Sequence, residues 1–469
     1  MPIEKFRLRF LEEQYDRIAD LIFADENEAA ALALCGRSLI RNPWLGGEEE
    51  TFIVKEIVPV PSDAYIRRSP VDFVWSTTPF FQLLKRAARK DFAVAVIHSH
   101  PKDHPDFSLN DNIADKELFE IAFNRLESAR AHLSVVIERN GQISARAYLP
   151  DLKPQRVQSV VVIGERWRMA CRTNDASIAP HLDRQVRAFG ASATAQLRNL
   201  RVAIVGCGGT GSAVAMLLSR IGIGKLALID ADNVQDTNLN RLHFAGMSDA
   251  NLQRRKVDVV AEGIAAIGLP TTIVRVPRYC DHKDALDVLR SCDVVFGCTD
   301  DHLGREILNR LAHFYFIPII DLGLLIEPND DNGYDVFDGR VTIVQPGYPC
   351  QSCRGLIDNE QIFIDSLRRD PELLEARRRA GYVPNDPDPS PAVVTFTTEV
   401  ATMAVNELFH RLNAFRGPEE RCSERIRQFQ YLKSSDTLPG GKRRPGCRLC
   451  GQRRYDGRGD MIPLLDLTL

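Results

Sequence analysis

Apolar positions recur along this chain with both helix and strand periods, and the changes of period divide it. Up to about residue 160, helix-period patterns are mixed with short apolar runs such as 92–97, which predicts an α+β unit. Residues 161–183 have no clear periodicity and read as a connector. From Arg184 onward strand and helix patterns alternate: an apolar strand over 201–205, a glycine-rich turn, a helix over 212–220 and a strand over 225–229. That succession is a βαβ unit and implies a parallel sheet. A further strand and turn follow at 293–298. The charged stretch 365–381 is helical in composition, and a proline-rich loop follows at 383–393. The pattern predicts an α/β protein with an α+β domain over 1–160, a doubly wound domain over 184–455 and a tail over 456–469.

Composition narrows the function. At 469 residues the chain has room for two or three domains of about 150 residues. Its 44% hydrophobic and 26% charged residues exclude wholesale disorder. A net charge of −3 gives no general basic footprint for nucleic acid. The opening MPIEKFRLRF is not a secretory leader, and the longest apolar stretch, 314–326, is too short for a bilayer and contains Asp321. These features predict a cytoplasmic protein without membrane or nucleic-acid partners. The 11 cysteines include two CxxC pairs, which reads as reduced thiols plus a metal site.

The apolar run 92–97 delivers His98 and His100 at its end. Residues two apart on an extended chain point the same way, so both imidazoles can face one ion. Ser108 and Asp111 follow. Three N/O ligands with one open position make a catalytic zinc arrangement. The string resembles the signature of JAMM/MPN (JAB) metalloproteases in spacing and residue type. The resemblance implies that His98, His100 and Asp111 are zinc ligands and that Ser108 supplies a hydroxyl to the tetrahedral intermediate. It also implies an upstream glutamate as general acid/base; Glu28 has the family's spacing, and Glu26 is the alternative. The cluster 48–50 reads as a solvated loop, and His104 as a bystander. Members of this family often cleave after the C-terminal glycine of ubiquitin-like proteins.

The run VAIVGCGGTGS sets Gly206, Gly208, Gly209 and Gly211 between a strand and a helix, where backbone can approach phosphate. Asp230, with Asp232 close behind, ends the next strand, where a ribose-binding carboxylate sits in such folds. Alone, this predicts a dinucleotide oxidoreductase. Asn238, Arg241, Lys256 and Asp300 argue otherwise, because attack on the α-phosphate of ATP needs cations and a magnesium carboxylate where hydride transfer does not. The set resembles the ThiF/MoeB adenylating family. The resemblance implies Asp230 on the ribose, Asn238, Arg241 and Lys256 on the phosphates, and Asp300 on magnesium. The family pattern usually has Asn next, and here Asp301 adds a charge beside the metal. The string DRQVRAFG matches the family's N-terminal arginine element, with Arg184 in the matching position and Arg187 beside it. In relatives that arginine reaches into the partner subunit's site, which implies a homodimer.

Cys350, Cys353, Cys447 and Cys450 form two CxxC pairs separated by 93 intervening residues, a closed four-thiolate structural zinc set that the ThiF/MoeB family also carries. The crossover segment 354–421 has no cysteine for thioester transfer and carries Ser390 instead; Cys422, in a charged context, is the remaining nucleophile candidate. Together the resemblances imply a fusion of the kind found in bacterial ubiquitin-like pathways. One half would process or deconjugate a ubiquitin-like protein, and the other would adenylate its C-terminal glycine with ATP and magnesium. A conjugating-enzyme-like protein would be a further partner. The alternatives are an adenylyltransferase for a sulfur carrier or short peptide, and a scaffold that only binds the ubiquitin-like protein.

Overall fold

The computed structural model describes residues 3–102, 106–126, 130–171, 179–329, 333–379, 391–417, 421–429 and 441–465. His104 and Ser390 lie outside them. The first half runs β1 (Ile3–Leu11), α1 (Glu12–Ile22), β2 (Ala30–Arg41), β3 (Glu48–Pro59), β4 (Tyr65–Ser69), β5 (Asp72–Trp75), α2 (Thr78–Ala88), β6 (Ala93–His100), α3 (Leu109–Arg125), β7 (His132–Glu138), β8 (Ile143–Tyr148), β9 (Pro154–Ile163) and β10 (Arg168–Cys171). Eight of these strands form one sheet in the order β1-β3-β2-β6-β7-β8-β9-β10, and β1 also pairs with β9, which closes the sheet on itself. Phe6, Leu8 and Phe10 alternate along β1 into the closed interior with Ile18 and Ile22 of α1. Helices α2 and α3 cover the other face of β2 and β6 through Phe80, Leu83, Leu84 and Phe119. Part of the aperiodic stretch 161–183 therefore belongs to this sheet: β9 ends in it and β10 lies wholly within it.

The second half runs α4 (Asp183–Asn199), β11 (Arg201–Val205), α5 (Gly209–Arg220), β12 (Lys225–Ile229), α6 (Met247–Asn251), α7 (Lys256–Ile267), β13 (Thr272–Val276), α8 (Lys283–Ser291), β14 (Val294–Gly297), α9 (His302–Tyr315), β15 (Ile319–Pro328), β16 (Tyr334–Val344), α10 (Asn359–Arg368), α11 (Pro371–Arg379), α12 (Val394–Asn413) and β17 (Glu424–Gln428). Its sheet has the order β13-β12-β11-β14-β15-β16-β17, parallel through β15 and antiparallel beyond. The βαβ pattern is thus a Rossmann-like sheet. Strand order reverses at β11, which lies between β12 and β14, so a crevice opens at their carboxyl ends. No helix among the described residues is long and apolar enough to cross a membrane.

The two sheets are joined by buried charge. Arg7 and Arg9 of β1 are buried. Arg7 donates to the Ser291 carbonyl at 2.7 Å and pairs with Asp293; Arg9 donates to the carbonyls of Tyr315 at 2.8 Å and Cys292 at 2.9 Å. The acidic run 48–50 is no loop. It opens β3, with Glu49 0% and Glu50 1% exposed. Glu49 takes Arg201 Nη1 on both oxygens, at 2.7 and 2.9 Å, because the second domain covers this face of the sheet. Residues 456–460 are wedged between the halves. Lys55 Nζ donates to the Asp456 carbonyl at 2.6 Å, and Gly457 and Gly459 N–H donate to the carbonyls of His313 and Phe314. Asp460 accepts from Leu39 N–H at 2.7 Å, Arg290 at 2.6 Å and Tyr315 OH at 2.9 Å.

Glu50 carries a pH signature. Its Oε2 is buried without a hydrogen bond, and Arg37 comes no closer than 3.9 Å. Burial pushes its carboxyl up to about 7. A carboxyl raised in the folded state loses its proton first in the unfolded chain, so stability falls as pH rises from about 4.5 to about 7. We expect Glu50→Gln to be more stable than the parent by roughly 3 kcal/mol at pH 8, with the gap closing below pH 5. Urea unfolding across that range tests this, and a pH-independent gap would refute it.

Candidate functional site

The first site forms at the end of β6. Ala30 pairs with His98 across the sheet, and Ser99 N–H donates to the Ala29 carbonyl at 3.0 Å. Glu28 lies two residues before β2, close enough to His98 and His100 to interact with both. Glu28 is buried, and its N–H donates to the Ser69 carbonyl at 2.8 Å; Glu26 is exposed. The geometry thus separates the two glutamates. Burial pushes the Glu28 carboxyl up, while the His98 and His100 imidazoles pull it down.

Asp111 enters from α3. Ser108 is the helix N-cap: its Oγ accepts from Asp111 N–H at 3.1 Å, and its own N–H donates to Asp111 Oδ2 at 2.6 Å. The capping box therefore aims Asp111, and the Ser108 hydroxyl is engaged in that cap. Asp111 Oδ1 lies 3.2 Å from His98 Nε2, and Oδ2 lies 3.5 Å from His100 Nε2. One ligand atom from each of the three residues falls within a 4.8 Å cluster. Burial opposes it, but the two histidines hold the Asp111 carboxyl well below the usual carboxylate range. His98 Nε2 is buried and makes no hydrogen bond. An orphaned imidazole nitrogen aimed at a carboxylate and a second imidazole fits a zinc ligand set. Asp115 is one helical turn beyond Asp111. It is held by Arg146 at 2.7 and 3.1 Å, and that guanidinium lies 3.7 Å over the Phe107 ring, which packs against His98. This support escapes a reading of the signature alone, because Arg146 comes from another strand. The i,i+4 spacing of the two aspartates is its only sequence trace.

The second site is a cavity of 320 Å³ at the strand-order reversal. Gly206, Gly208, Gly209, Asp230, Asp232, Asn238, Arg241, Lys256 and Asp300 all line it. Gly206 has φ +90°, and a Cβ at Gly211 would lie 1.8 Å from the Gly206 carbonyl oxygen, so the turn into α5 needs glycine at both positions. The N-terminus of α5 opens on this cavity, a ready anion site. Asp230 accepts from the N–H of Cys207 at 2.6 Å and of Asp232 at 2.8 Å, and burial pushes its carboxyl up against the pull of Lys256. Lys256 Nζ donates to Asp232 Oδ2 at 2.7 Å. Against its burial, Asp230 and Asp232 hold the Lys256 ammonium above its ordinary value. Arg241 packs over Gly209 and donates to the Thr237 carbonyl at 2.6 Å. Asn238 Oδ1 accepts from Gln235 N–H at 3.1 Å. Asp300 is exposed at the cavity, an oxygen donor of the kind magnesium takes.

A model of the ThiF family matches residues 182–449, and one of prokaryotic homologs of the JAB domain matches residues 12–148. The chain belongs to the ThiF family. It carries a JAB domain ahead of the ThiF region. Molybdopterin-synthase adenylyltransferase of Salmonella typhimurium is 27% identical over 271 residues, covering 57% of this chain and 93% of that protein. The Escherichia coli protein of the same name is 30% identical over 172 residues, 36% of this chain and 64% of its own length. The adenylyltransferase and sulfurtransferase uba4 of Emericella nidulans is 29% identical over 29% of this chain, which spans 28% of that protein. Among solved structures, Escherichia coli MccB with ATP is similar at a TM-score of 0.43 and 17% identity, covering 60% of this chain and 76% of that one.

The ThiF region also gathers the four cysteines. Cys350 and Cys447 sulfurs are 3.6 Å apart, Cys353 and Cys450 sulfurs 3.5 Å, and all four fall within 4.8 Å. Tetrahedral zinc with Zn–S near ~2.3 Å sets sulfurs about 3.8 Å apart, so the set fits. Cys422 is a correction. It is buried, and its thiol donates to the Glu424 carbonyl at 2.8 Å, so its charged sequence neighbours do not make it an exposed nucleophile. Arg184 is exposed on α4 and does not line the cavity of its own chain; Arg187 pairs with Asp183 at 2.8 Å.

Proposed function

We propose that this chain adenylates the C-terminal glycine of a ubiquitin-like protein and hydrolyses peptide or isopeptide bonds formed at that glycine. The two activities divide near residues 161–183. The observation that carries the first is the convergence of Asp230, Asn238, Arg241, Lys256 and Asp300 on one cavity at the α5 N-terminus, in a family whose relatives are named adenylyltransferases. The glycine carboxylate attacks the α-phosphate of ATP, an acyl–phosphate bond forms, and pyrophosphate leaves. Asp230 orients the ribose; Asn238, Arg241 and Lys256 meet the charge that develops on the phosphates. Asp300 would hold a magnesium ion, which would supply further neutralisation of the triphosphate. Arg184, exposed on α4 and outside the lining of its own cavity, would reach into that of a second copy, so the working form would be a homodimer. Delivery to a conjugating-enzyme-like protein would follow in the cytoplasm, where thiols stay reduced.

For hydrolysis, His98, His100 and Asp111 would hold a zinc ion whose Lewis acidity polarises the scissile carbonyl. Glu28 takes the proton of the attacking water and passes it to the leaving amine. Exposed Ile66 and Val71 on the β4–β5 hairpin and Leu109 and Ile113 on α3 flank this centre and offer apolar surface to a protein substrate. The molybdopterin-synthase relatives favour a second reading, in which the adenylated glycine belongs to a sulfur-carrier protein.

The test is pyrophosphate release from ATP and magnesium in the presence of a glycine-terminated ubiquitin-like protein. We expect release that requires the terminal glycine and falls about a hundredfold in Asp300→Ala. Equal release from a protein lacking that glycine would refute the reading.

A further inference from the structure

Three segments distant in sequence meet beside the nucleotide cavity: Tyr279 and Cys280 after β13 and residues 299–301 after β14 line it, and Asp281 and Arg369, the latter between α10 and α11, stand behind them. One guanidinium ties them together. Arg369 Nη1 donates to Asp281 Oδ2 at 2.8 Å, and Nη2 donates to Asp301 Oδ1 at 3.4 Å. The same group lies 4.9 Å over the ring of Tyr279, which lines the cavity. The Arg369 side chain is 13% exposed, so these pairs are partly desolvated and weakly screened.

Asp301 stands where the family pattern usually has asparagine. Its side chain caps α9 by accepting from Gly304 N–H, and it accepts from Thr299 Oγ1 at 2.8 Å. An asparagine oxygen caps a helix about as well, so the cap does not call for the charge. The charge has a cost here, since it stands next to Asp300 on a cavity that takes a polyanion. With Arg369 in place, Asp281, Asp301 and Arg369 sum to one negative charge; without it they sum to two.

We propose that Arg369 is a positioning residue for the nucleotide: it offsets one of the two negative charges that Asp281 and Asp301 place beside Asp300, and so lets the rim accept an ATP triphosphate. This rests on the adenylation reading above. Arginine suits the task because its planar fork reaches two carboxylates while its face stacks on Tyr279, a combination lysine lacks.

The test is equilibrium binding of ATP with magnesium to the full chain by titration calorimetry, over a double-mutant cycle. Arg369→Ala is expected to weaken binding about tenfold. Asp301→Asn alone removes one negative charge and is expected to tighten binding, by up to about tenfold, and Asp301→Asn in the Arg369→Ala background to recover binding to within about threefold of the parent. Arg369→Lys should fall between parent and Arg369→Ala. In pyrophosphate release, the Arg369→Ala loss should appear in KM for ATP, with kcat held within about threefold. Thermal melting of each variant identifies any that does not fold, and the cycle is read on folded protein. A double variant as weak as Arg369→Ala, or Arg369→Ala binding like the parent, would overturn the proposal and leave the adenylation reading intact. A parent chain that binds no ATP would overturn the reading itself and this inference with it.

Discussion

Glu28→Gln is expected to lower hydrolysis at the glycine of a C-terminally extended ubiquitin-like protein by about a thousandfold while leaving zinc content unchanged. The amide keeps the shape of the carboxyl but cannot take a proton from water. The zinc ligand set stays whole, because His98, His100 and Asp111 are held by the β6 strand and by the α3 capping box, and neither depends on Glu28. Asp111→Ala should behave differently. It removes one of the three clustered ligand atoms, so zinc and activity should be lost together. Steady-state rates paired with metal analysis separate the two cases. Activity in Glu28→Gln within threefold of the parent would move the proton transfer to another group.

Glu49→Ala is expected to cost about 3–5 kcal/mol of stability, the range for removing one partner of a buried ion pair. Glu49 is fully buried, takes Arg201 on both oxygens and Asn42 Nδ2 at 2.8 Å, and has Arg7 at 3.8 Å. Its loss leaves the Arg7 and Arg201 guanidiniums between the sheets, where Asp293 pairs with Arg7 and accepts from the Arg201 backbone N–H. The same seam carries apolar continuity: Leu11, Trp44, Ile53 and Ile163 of the first sheet share a core with Val202, Leu226 and Val294 of the second. The unfolding should therefore stay a single transition shifted to lower denaturant. A loss below about 1 kcal/mol would mean that the seam is wet and the pair screened. Two separated transitions would mean that the halves do not fold as one unit.

Much of both candidate sites was legible because each rests on local geometry. His98 and His100 share a face through the strand period, Asp111 follows a serine three residues ahead of it in a capping box, and the glycine turn joins a strand to a helix. The two CxxC pairs are short knuckles whose sulfurs needed only to be brought together. The choice between Glu28 and Glu26 was open because both precede the same apolar run. Burial separates them: Glu28 is buried beside His98 and His100, and Glu26 is exposed.

By itself, then, the sequence determined what short-range spacing can carry: the βαβ order, the ligand triad, the phosphate turn and the thiolate pairs. The tertiary structure decided what lies against the outer faces of those elements. The run 48–50 looks solvated because charge in sequence is read as exposure, yet a second domain packs on that face and supplies Arg201 as a partner. Cys422 looks exposed for the same reason and is buried. Arg369 reaches Asp301 from 68 residues away, a distance at which no periodicity reports. A side chain's direction follows from its own backbone, but its burial and its ion pairs follow from whatever the rest of the chain places opposite it.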